Sequence, residues 1–315
     1  MTGIRTVIHT FFLLALPVLV AYYGLSTAAA IGLVIVALLW RWAIVVSGLM
    51  FPAKTPELEL ETIPPSHFAE KARWCLDKLG VEYTEKPAAG INGVMFRGRS
   101  VPQLLFRTGI VRSSIGNSPE ILRYLWGRYA VERGDAAEFL RPTAERLDME
   151  ARLDKYGAHL QVWVYYHVLE HPDVVMRAWG RNDASVPDWQ RLLLPIVFPL
   201  NRWFLRRVFR INDAHYHKVV EKIESLLADV EAGLDDGRRS ILGSEDTDFV
   251  DITFAALSAI WLQPDEFAAG KADASRIRPE DYPLPMAADI ERWSDRYPLV
   301  KAFVERLYRE ERESA

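Results

Sequence analysis

The sequence predicts a mixed α/β domain followed by an all-α helical domain, with an apolar helical hairpin ahead of both. Three observations carry this reading. From Thr6 to Trp40 there is no Asp, Glu, Lys or Arg. Residues 57–79 read as a strand, a Pro-Pro break and a helix. From about residue 131 onward, strand signals vanish and three- to four-residue periodicity takes over. The boundaries expected from these shifts are 1–55, 56–130 and 131–315.

At 315 residues, half of them hydrophobic, the chain can build two domains of ordinary size. The net charge of −4 gives no indication of nucleic-acid binding, but it is unevenly spread. Residues 1–56 hold Arg5, Arg41 and Lys54 and no acid, so the remainder carries −7. A single cysteine, Cys75, excludes an intramolecular disulfide and a cysteine zinc cluster, and fits a reducing compartment.

The uncharged N-terminal run is too long for one ordinary membrane span and long enough for two. Gly24-Leu25-Ser26-Thr27 is the natural turn between Val7–Tyr23 and a second span from Ala28 to about Leu49. Arg41 lies in that second span between Trp40 and Trp42, where a long side chain can snorkel to the interface. Arg5, Arg41 and Lys54 put the positive charge on one side, which predicts a hairpin with both ends, and the domains that follow, in the cytoplasm. A single span or a signal peptide competes with this; the apolar run exceeds the usual signal core, and no clear cleavage box ends it.

In residues 57–62, Leu58 and Leu60 alternate with Glu57, Glu59 and Glu61, and Pro64-Pro65 stops the strand. Phe68, Ala72, Cys75, Leu76 and Leu79 then mark a helix, with Ser66 in its first turn and Gly80 as a stop. Val81–Lys86 reads as a second strand and Ser100–Phe106 as a third. Arg107-Thr108-Gly109 forms a turn into a short fourth strand at Ile110–Arg112. Asn117-Ser118-Pro119-Glu120 opens the next helix, with Ser118 as N-cap and Pro119 at its first position. The order is a βαβ half joined to a ββα half.

Three motifs in this stretch resemble the glutathione S-transferase superfamily, whose N-terminal domain is thioredoxin-like and whose C-terminal domain is all-helical. Pro65-Ser66-His67-Phe68-Ala69-Glu70-Lys71-Ala72-Arg73-Trp74 is similar to the family's first-helix motif. Val101-Pro102-Gln103-Leu104 is similar to its Val-Pro-x-Leu strand, whose proline is cis. Asn117-Ser118 followed by Ile121-Leu122-Arg123-Tyr124-Leu125 resembles the start of its second helix. Further on, Asp248–Leu257 resembles the capping-box helix of the helical domain. The resemblance covers residues 57–130 well, the C-terminal half loosely and the N-terminal segment not at all.

The resemblance implies an enzyme that activates the glutathione thiol for attack on an apolar electrophile or a peroxide, and the apolar N-terminal run adds the expectation that it is anchored in a membrane. Ser66 stands where the family places its catalytic Ser or Cys, as an O–H donor to the glutathione sulfur. One unit of thiol pKa depression corresponds to roughly 1.4 kcal/mol, within reach of one charge-assisted hydrogen bond. Val101 and Pro102 would hold the cysteinyl part of glutathione, Ser118 the γ-glutamyl carboxylate and Arg99 the glycyl carboxylate. Asn117 replaces the acidic residue or Gln usual beside that serine and weakens the grip on the γ-glutamyl amine. Each position has a plain alternative. Ser66 and Ser118 also suit N-caps, Val101 an ordinary strand entry, Arg99 a surface cation, and His67 a solvated first-turn residue. A homodimer is compatible with the resemblance, and so is a non-catalytic relative that uses the fold for binding or assembly at the membrane.

Cys75 falls on the apolar face of its helix and reads as a small buried hydrophobe. Lys71 and Arg73 read as structural ion-pair partners. There is no His-Glu-x-x-His, no paired Cys/His set, no Walker loop and no Gly-x-Gly-x-x-Gly, so neither a metal nor a nucleotide is expected.

In the helical half, Pro142-Thr143-Ala144-Glu145 begins a long helix to about Leu169. Tyr156, Leu160, Trp163 and Tyr166 on one flank suit either a substrate pocket or the bundle core. Residues 191–212 mix Arg191, Arg202, Arg206, Arg207 and Arg210 with apolar and aromatic residues and contain no acid until after Asn212. Such a segment suits a helix on an anionic membrane, or a buried helix with a basic edge. Asp248 as N-cap and Asp251 three residues on form a capping box. Pro279–Pro285 reads as a loop, and the last helices turn Trp293, Tyr297, Phe303 and Leu307 inward.

Overall fold

The computed structural model describes residues 19, 22–24, 26–50, 55–90, 101–108 and 111–312. The described residues form two compact units. One comprises those up to Leu58 together with the described part of Leu105–Ser114; the other holds the rest, from Glu59 onward.

In the first unit, α1 spans Thr27–Met50, 24 residues broken by no charge except Arg41. Among its described side chains, Ile31, Leu33, Ile35, Val36, Leu38, Leu39, Trp40 and Trp42 are exposed. Among the described residues, no helix is long and apolar enough to cross a membrane. The anticipated two-span hairpin is therefore not found there, and its first span falls outside the described residues except for Leu19, Tyr22 and Tyr23.

The strands are β1 (Glu57–Thr62), β2 (Thr84–Pro87), β3 (Gln103–Thr108) and β4 (Val111–Gly116), in the sheet order β2-β1-β3-β4. β1 and β2 run parallel, with Glu59 opposite Thr84 and Thr62 opposite Pro87. They are joined by α2 (His67–Lys78). The second strand starts later than the sequence suggests, because residues 79–81 close the helix. The Gly80 N–H binds Asp77 O at 2.9 Å and the Val81 N–H binds Leu76 O at 3.1 Å, with Gly80 at φ +65°. This is a Schellman stop, whose left-handed residue glycine adopts without a Cβ penalty.

After β4 come α3 (Ser118–Arg133), a 3₁₀ turn at Gly134–Leu140 and the long α4 (Ala144–Val168), capped by Thr143 Oγ1 on the Arg146 N–H. The helices α5 (Pro172–Ala178), α6 (Asp188–Val208), α7 (Asp213–Leu234), α8 (Phe249–Leu262), α9 (Leu284–Arg296) and α10 (Pro298–Glu311) complete the unit. α8 is buried on nearly every side and packs on α2, α4 and α10. Its start is the anticipated capping box: Asp248 accepts from the Val250 and Asp251 N–H groups, and Asp251 accepts from the Asp248 N–H. Burial and the neighbouring Asp248 charge push the Asp251 carboxyl up to about 7. Trp293, Tyr297, Phe303 and Leu307 are buried as anticipated.

α2 is buried although it carries Glu70, Lys71 and Arg73. Each charge meets a partner on another element. Lys71 Nζ lies 2.6 Å from Glu150 on α4, Arg73 lies 2.6 Å from Glu85 on β2, and Glu70 lies 2.8 Å from Arg312 after α10. Arg73 also donates to the Pro64 carbonyl at 3.1 Å, so it holds the proline turn ahead of the helix. Cys75 is fully buried on the same helix, and burial pushes its thiol up to about 12, out of thiolate chemistry at neutral pH.

Removing one partner of a buried pair strands the other, whereas removing both can be neutral. Lys71→Met is expected to lower the unfolding free energy by about 3 kcal/mol, and Lys71→Met with Glu150→Leu to recover most of that loss. Denaturant unfolding of the three proteins checks this.

Candidate functional site

The proline turn and α2 place Ser66 as the N-cap, where it has extended φ/ψ of −70° and 118°. Its Oγ accepts from the Ala69 N–H at 3.3 Å, and its own N–H binds Ile63 O at 2.9 Å. The plain capping role is thus filled. It uses a lone pair of the hydroxyl and leaves the proton free to be donated elsewhere. The N–H groups of His67 and Phe68, in the first turn, have no acceptor within the helix and add the positive end of its dipole.

Ser66 opens onto a cavity of about 420 Å³ within the second unit. Ile63, Pro65, His67 and Phe68 line it beside Ser66, with Val101, Pro102 and Asn117 from the neighbouring segments. The Val101–Pro102 peptide is cis. The Asn117 N–H donates to the Pro102 carbonyl at 3.2 Å, which fastens the start of α3 to that loop. The helical half supplies the other wall through Val164, Tyr165, Val168, Trp179, Phe209, Ile260 and Met286. Among the described residues, the one permanently charged side chain in the wall is Arg276. It is held by the carbonyls of Gln263 and Pro264 at 2.5 and 2.7 Å. The cavity is therefore apolar over most of its surface; Ser66 and Asn117 bring a hydroxyl and an amide to one end, and Gln161, Tyr165 and Gln263 bring polar groups from the helical half.

The start of α3 differs from the sequence reading by one residue. Asn117, not Ser118, is the N-cap, at φ 72° and with no side-chain capping bond; Ser118 takes the first helical position and Pro119 the second. Asn117 reaches positive φ because its backbone turns back to Pro102, a conformation that Asn tolerates better than most residues. Ser118 is freed from capping, and its Oγ is buried without a hydrogen-bond partner among the described residues. A buried hydroxyl in that state costs about 1–3 kcal/mol unless a ligand or water meets it. Ser118 is not itself a wall of the cavity, and Arg99 lies outside the described residues.

His67 is buried rather than solvated. Its Nε2–H donates to the Gly157 carbonyl at 3.1 Å, and its ring rests 4.4 Å from that of Phe68. Burial pulls its pKa down to about 4, against the opposing pull of the Gly157 bond, so the ring is neutral. The approach of α2 to α4 depends on Gly157, where a Cβ would stand 2.8 Å from Phe68 Cζ and 2.9 Å from Leu257 Cδ2.

The aromatic flank of α4 belongs to the core. Tyr156, Leu160 and Trp163 are buried, the Tyr156 hydroxyl is 3.0 Å from Ser258 Oγ, and Tyr166 stacks on Tyr216 at 4.0 Å. The cavity-facing residues are Gln161, Val164, Tyr165 and Val168, a different stripe of the same helix. Burial pushes the Tyr165 phenol up, while Gln161 and Trp179, bonded to its hydroxyl, pull the other way. Trp179 was invisible as a wall residue in the sequence. A Cβ on Gly90 would collide with its ring, so the glycine lets the loop after β2 pass against it. The Ala89 N–H on that loop binds Gln190 Oε1 at 2.8 Å and fixes α6 to the same edge. Among the described residues, no group of three or more His, Cys, Asp or Glu is placed to hold a metal ion.

No family model matches the chain, and no curated protein matches it at a significant level. Solved structures do. A glutathione S-transferase of Methylobacillus flagellatus with glutathione bound is similar at 14% identity and a TM-score of 0.46, over 79% of this chain and 93% of that one. One from Methylobacterium radiotolerans in complex with glutathione sulfonate is similar at 16% identity and a TM-score of 0.48, over 82% of this chain and 96% of that one.

The depressed pKa of His67 has a pH signature. Between about pH 6.5 and pH 4 the unfolded histidine binds a proton that the folded one refuses, so stability is full above that window and falls as pH is lowered through it. The loss reaches about 3 kcal/mol by pH 4. His67→Asn is expected to flatten the dependence of the unfolding midpoint on pH across this window, which denaturant titrations at stepped pH would record.

Proposed function

We propose that the chain is a glutathione S-transferase-like enzyme that binds glutathione at the Ser66 end of the cavity and lowers its thiol pKa. It would pass the thiolate to an apolar electrophile or a peroxide held against the helical wall. The observation that carries this reading is the state of Ser66. Its oxygen already accepts from the Ala69 N–H, its proton has no acceptor among the described residues, and it stands at a helix N-terminus on the edge of an apolar cavity. A sulfur at that edge would receive one O–H bond and the positive end of α2, and both favour the anion. The sequence resemblance supplies the identity of the thiol.

In this reading the backbone of Val101, beside cis-Pro102, pairs with the cysteinyl unit. Ser118 satisfies its orphaned hydroxyl on the γ-glutamyl carboxylate, with Asn117 at the edge of the same subsite and Arg99 on the glycyl carboxylate. The glutathione-binding part is residues 56–130 and the helical part runs from 131. The apolar wall of Val164, Val168, Phe209 and Ile260 suits an uncharged, hydrophobic co-substrate. In conjugation, the thiol proton leaves to solvent and the sulfur lone pair forms the new C–S bond as the electrophile's leaving group departs with its bonding pair. With a peroxide, the thiolate takes one oxygen as the O–O bond breaks and the alcohol or water leaves. A second glutathione thiol then displaces the hydroxyl as water to give the disulfide. Anchoring at the cytoplasmic face of a membrane by residues 1–55 is part of the proposal, and the exposed apolar side chains of α1 support it.

A second reading is a non-catalytic binding or assembly module of the same fold at a membrane. Asn117 favours it, since that residue stands where the family carries an acid or Gln.

Calorimetry on the detergent-solubilised full chain separates the readings. Glutathione is expected to bind, and Ser118→Ala to weaken binding by about tenfold or more, as befits a hydrogen bond to a charged group. The ultraviolet absorbance of bound thiolate is expected to titrate about one pH unit higher in Ser66→Ala. Ser66→Asp keeps a capping acceptor but offers no proton, so it should lose the thiolate signal without a change in unfolding midpoint. Binding without a depressed thiol pKa would leave the non-catalytic module, and no binding at millimolar glutathione would sink the transferase reading and leave a module that binds or assembles without glutathione.

A further inference from the structure

We infer that the outer face of α6 is a docking surface for an anionic membrane. α6 is apolar on two opposite faces. Leu194, Phe198 and Leu205 turn inward, as in any amphipathic helix of a bundle. The opposite side carries Trp189, Leu192, Ile196, Leu200 and Trp203, all exposed, with Leu192 and Ile196 at 75% and 76%. Their spacings of three and four residues keep them on one stripe over about 20 Å of helix. The larger unit leaves nine large apolar side chains exposed among its described residues, and six of them lie on this helix. A contiguous patch of that kind marks an interaction surface rather than ordinary surface scatter.

The charge around the stripe selects the partner. From Trp189 to Ile211 the chain holds five arginines and no acid. Glu170 neutralises Arg202 and Arg206, and Asp188 holds Arg191. Arg207 continues the stripe past Trp203, with its guanidinium 6.0 Å from the indole, and Arg210 follows at the end of the helix. Neither has an acidic partner among the described residues. On a second copy of this face, the described acids at its edge, Glu170 and Asp188, are already paired with its own arginines. Anionic headgroups would meet them directly, while the apolar stripe enters the acyl boundary and the two tryptophans sit at headgroup level. This docking is separate from any span formed by the N-terminal segment and does not depend on the glutathione reading.

The test uses the full chain in lipid vesicles. Cys75 is fully buried, so a nitroxide label placed by Leu200→Cys reports that position alone, and Val131→Cys on an exposed helix position gives the reference. In vesicles of three parts phosphatidylcholine to one part phosphatidylserine, the Leu200 label is expected to be accessible to oxygen and shielded from a water-soluble nickel chelate. The Val131 label should show the reverse. Arg207→Gln with Arg210→Gln is expected to lower the docking constant by about thirtyfold, and pure phosphatidylcholine to return the label to water. Two outcomes overturn the inference. One is a Leu200 label as wet as the Val131 label in anionic vesicles. The other is shielding that persists in neutral vesicles and rises with the protein-to-lipid ratio, which is the behaviour of a contact between two copies.

Discussion

The structure of the larger unit depends on a helix that should not be buried by its composition and is. α2 carries a carboxylate, an ammonium and a guanidinium into the interior, each almost without solvent exposure. Charges so placed are tolerated only when paired with good geometry. Their partners are spread over the chain: Glu85 on β2, Glu150 on α4 and Arg312 beyond α10. The three pairs do not make the protein stable in themselves, because desolvation offsets much of the attraction. They do specify one arrangement, since sliding or rotating α2 would strand several charges at once. Trp74 adds to the last of them, with Arg312 over its ring at 5.8 Å and Tyr308 beside it at 4.6 Å.

The candidate site inherits its precision from this constraint. Ser66 is the residue immediately before α2, and Arg73 holds the turn ahead of it through the Pro64 carbonyl. The N-terminus of the helix, the direction of its dipole and the capping hydroxyl are therefore fixed by contacts made two turns further along. His67 extends the same logic to the helical half. As a neutral donor to Gly157 it ties the start of α2 to the middle of α4, and the glycine allows the close approach. The site end of α2 is set against α4 by a bond that burial keeps uncharged.

The cavity shows how a polar edge and an apolar wall arise from different parts of one chain. The polar edge comes from strand ends and helix starts, where backbone groups are left over by the geometry of the elements themselves. The apolar wall comes from helices whose inward faces do not quite meet, so that Val164, Tyr165 and Val168 look across to Phe209 and Ile260 instead of into the core. Ser118 belongs to the first group, with its hydroxyl buried and unpartnered because Asn117 has taken over the turn.

Much of this was legible from residue order, for local physical reasons. The Pro-Pro break, the helix from His67, the Schellman stop at Gly80 and the capping box at Asp248 and Asp251 each depend on a few neighbouring residues. Short-range geometry suffices to read them. So did the inward faces of the last helices, where Trp293, Tyr297, Phe303 and Leu307 recur at helical spacing. What lay beyond the sequence is what depends on contacts far apart in it. Periodicity showed that α4 has an aromatic flank but not which flank meets a cavity; α8 covered Tyr156 and α9 covered Trp163, and Tyr165, one stripe round, became the wall. Composition showed a basic, apolar segment at 191–212. Only packing decided that one apolar stripe of α6 enters the bundle and leaves the other exposed. His67 looked solvated because it opens a helix, and Gly157, ninety residues away, is what buries it. Local chemistry determined where elements begin and end, and tertiary contacts decided which side chains each element turns toward the site.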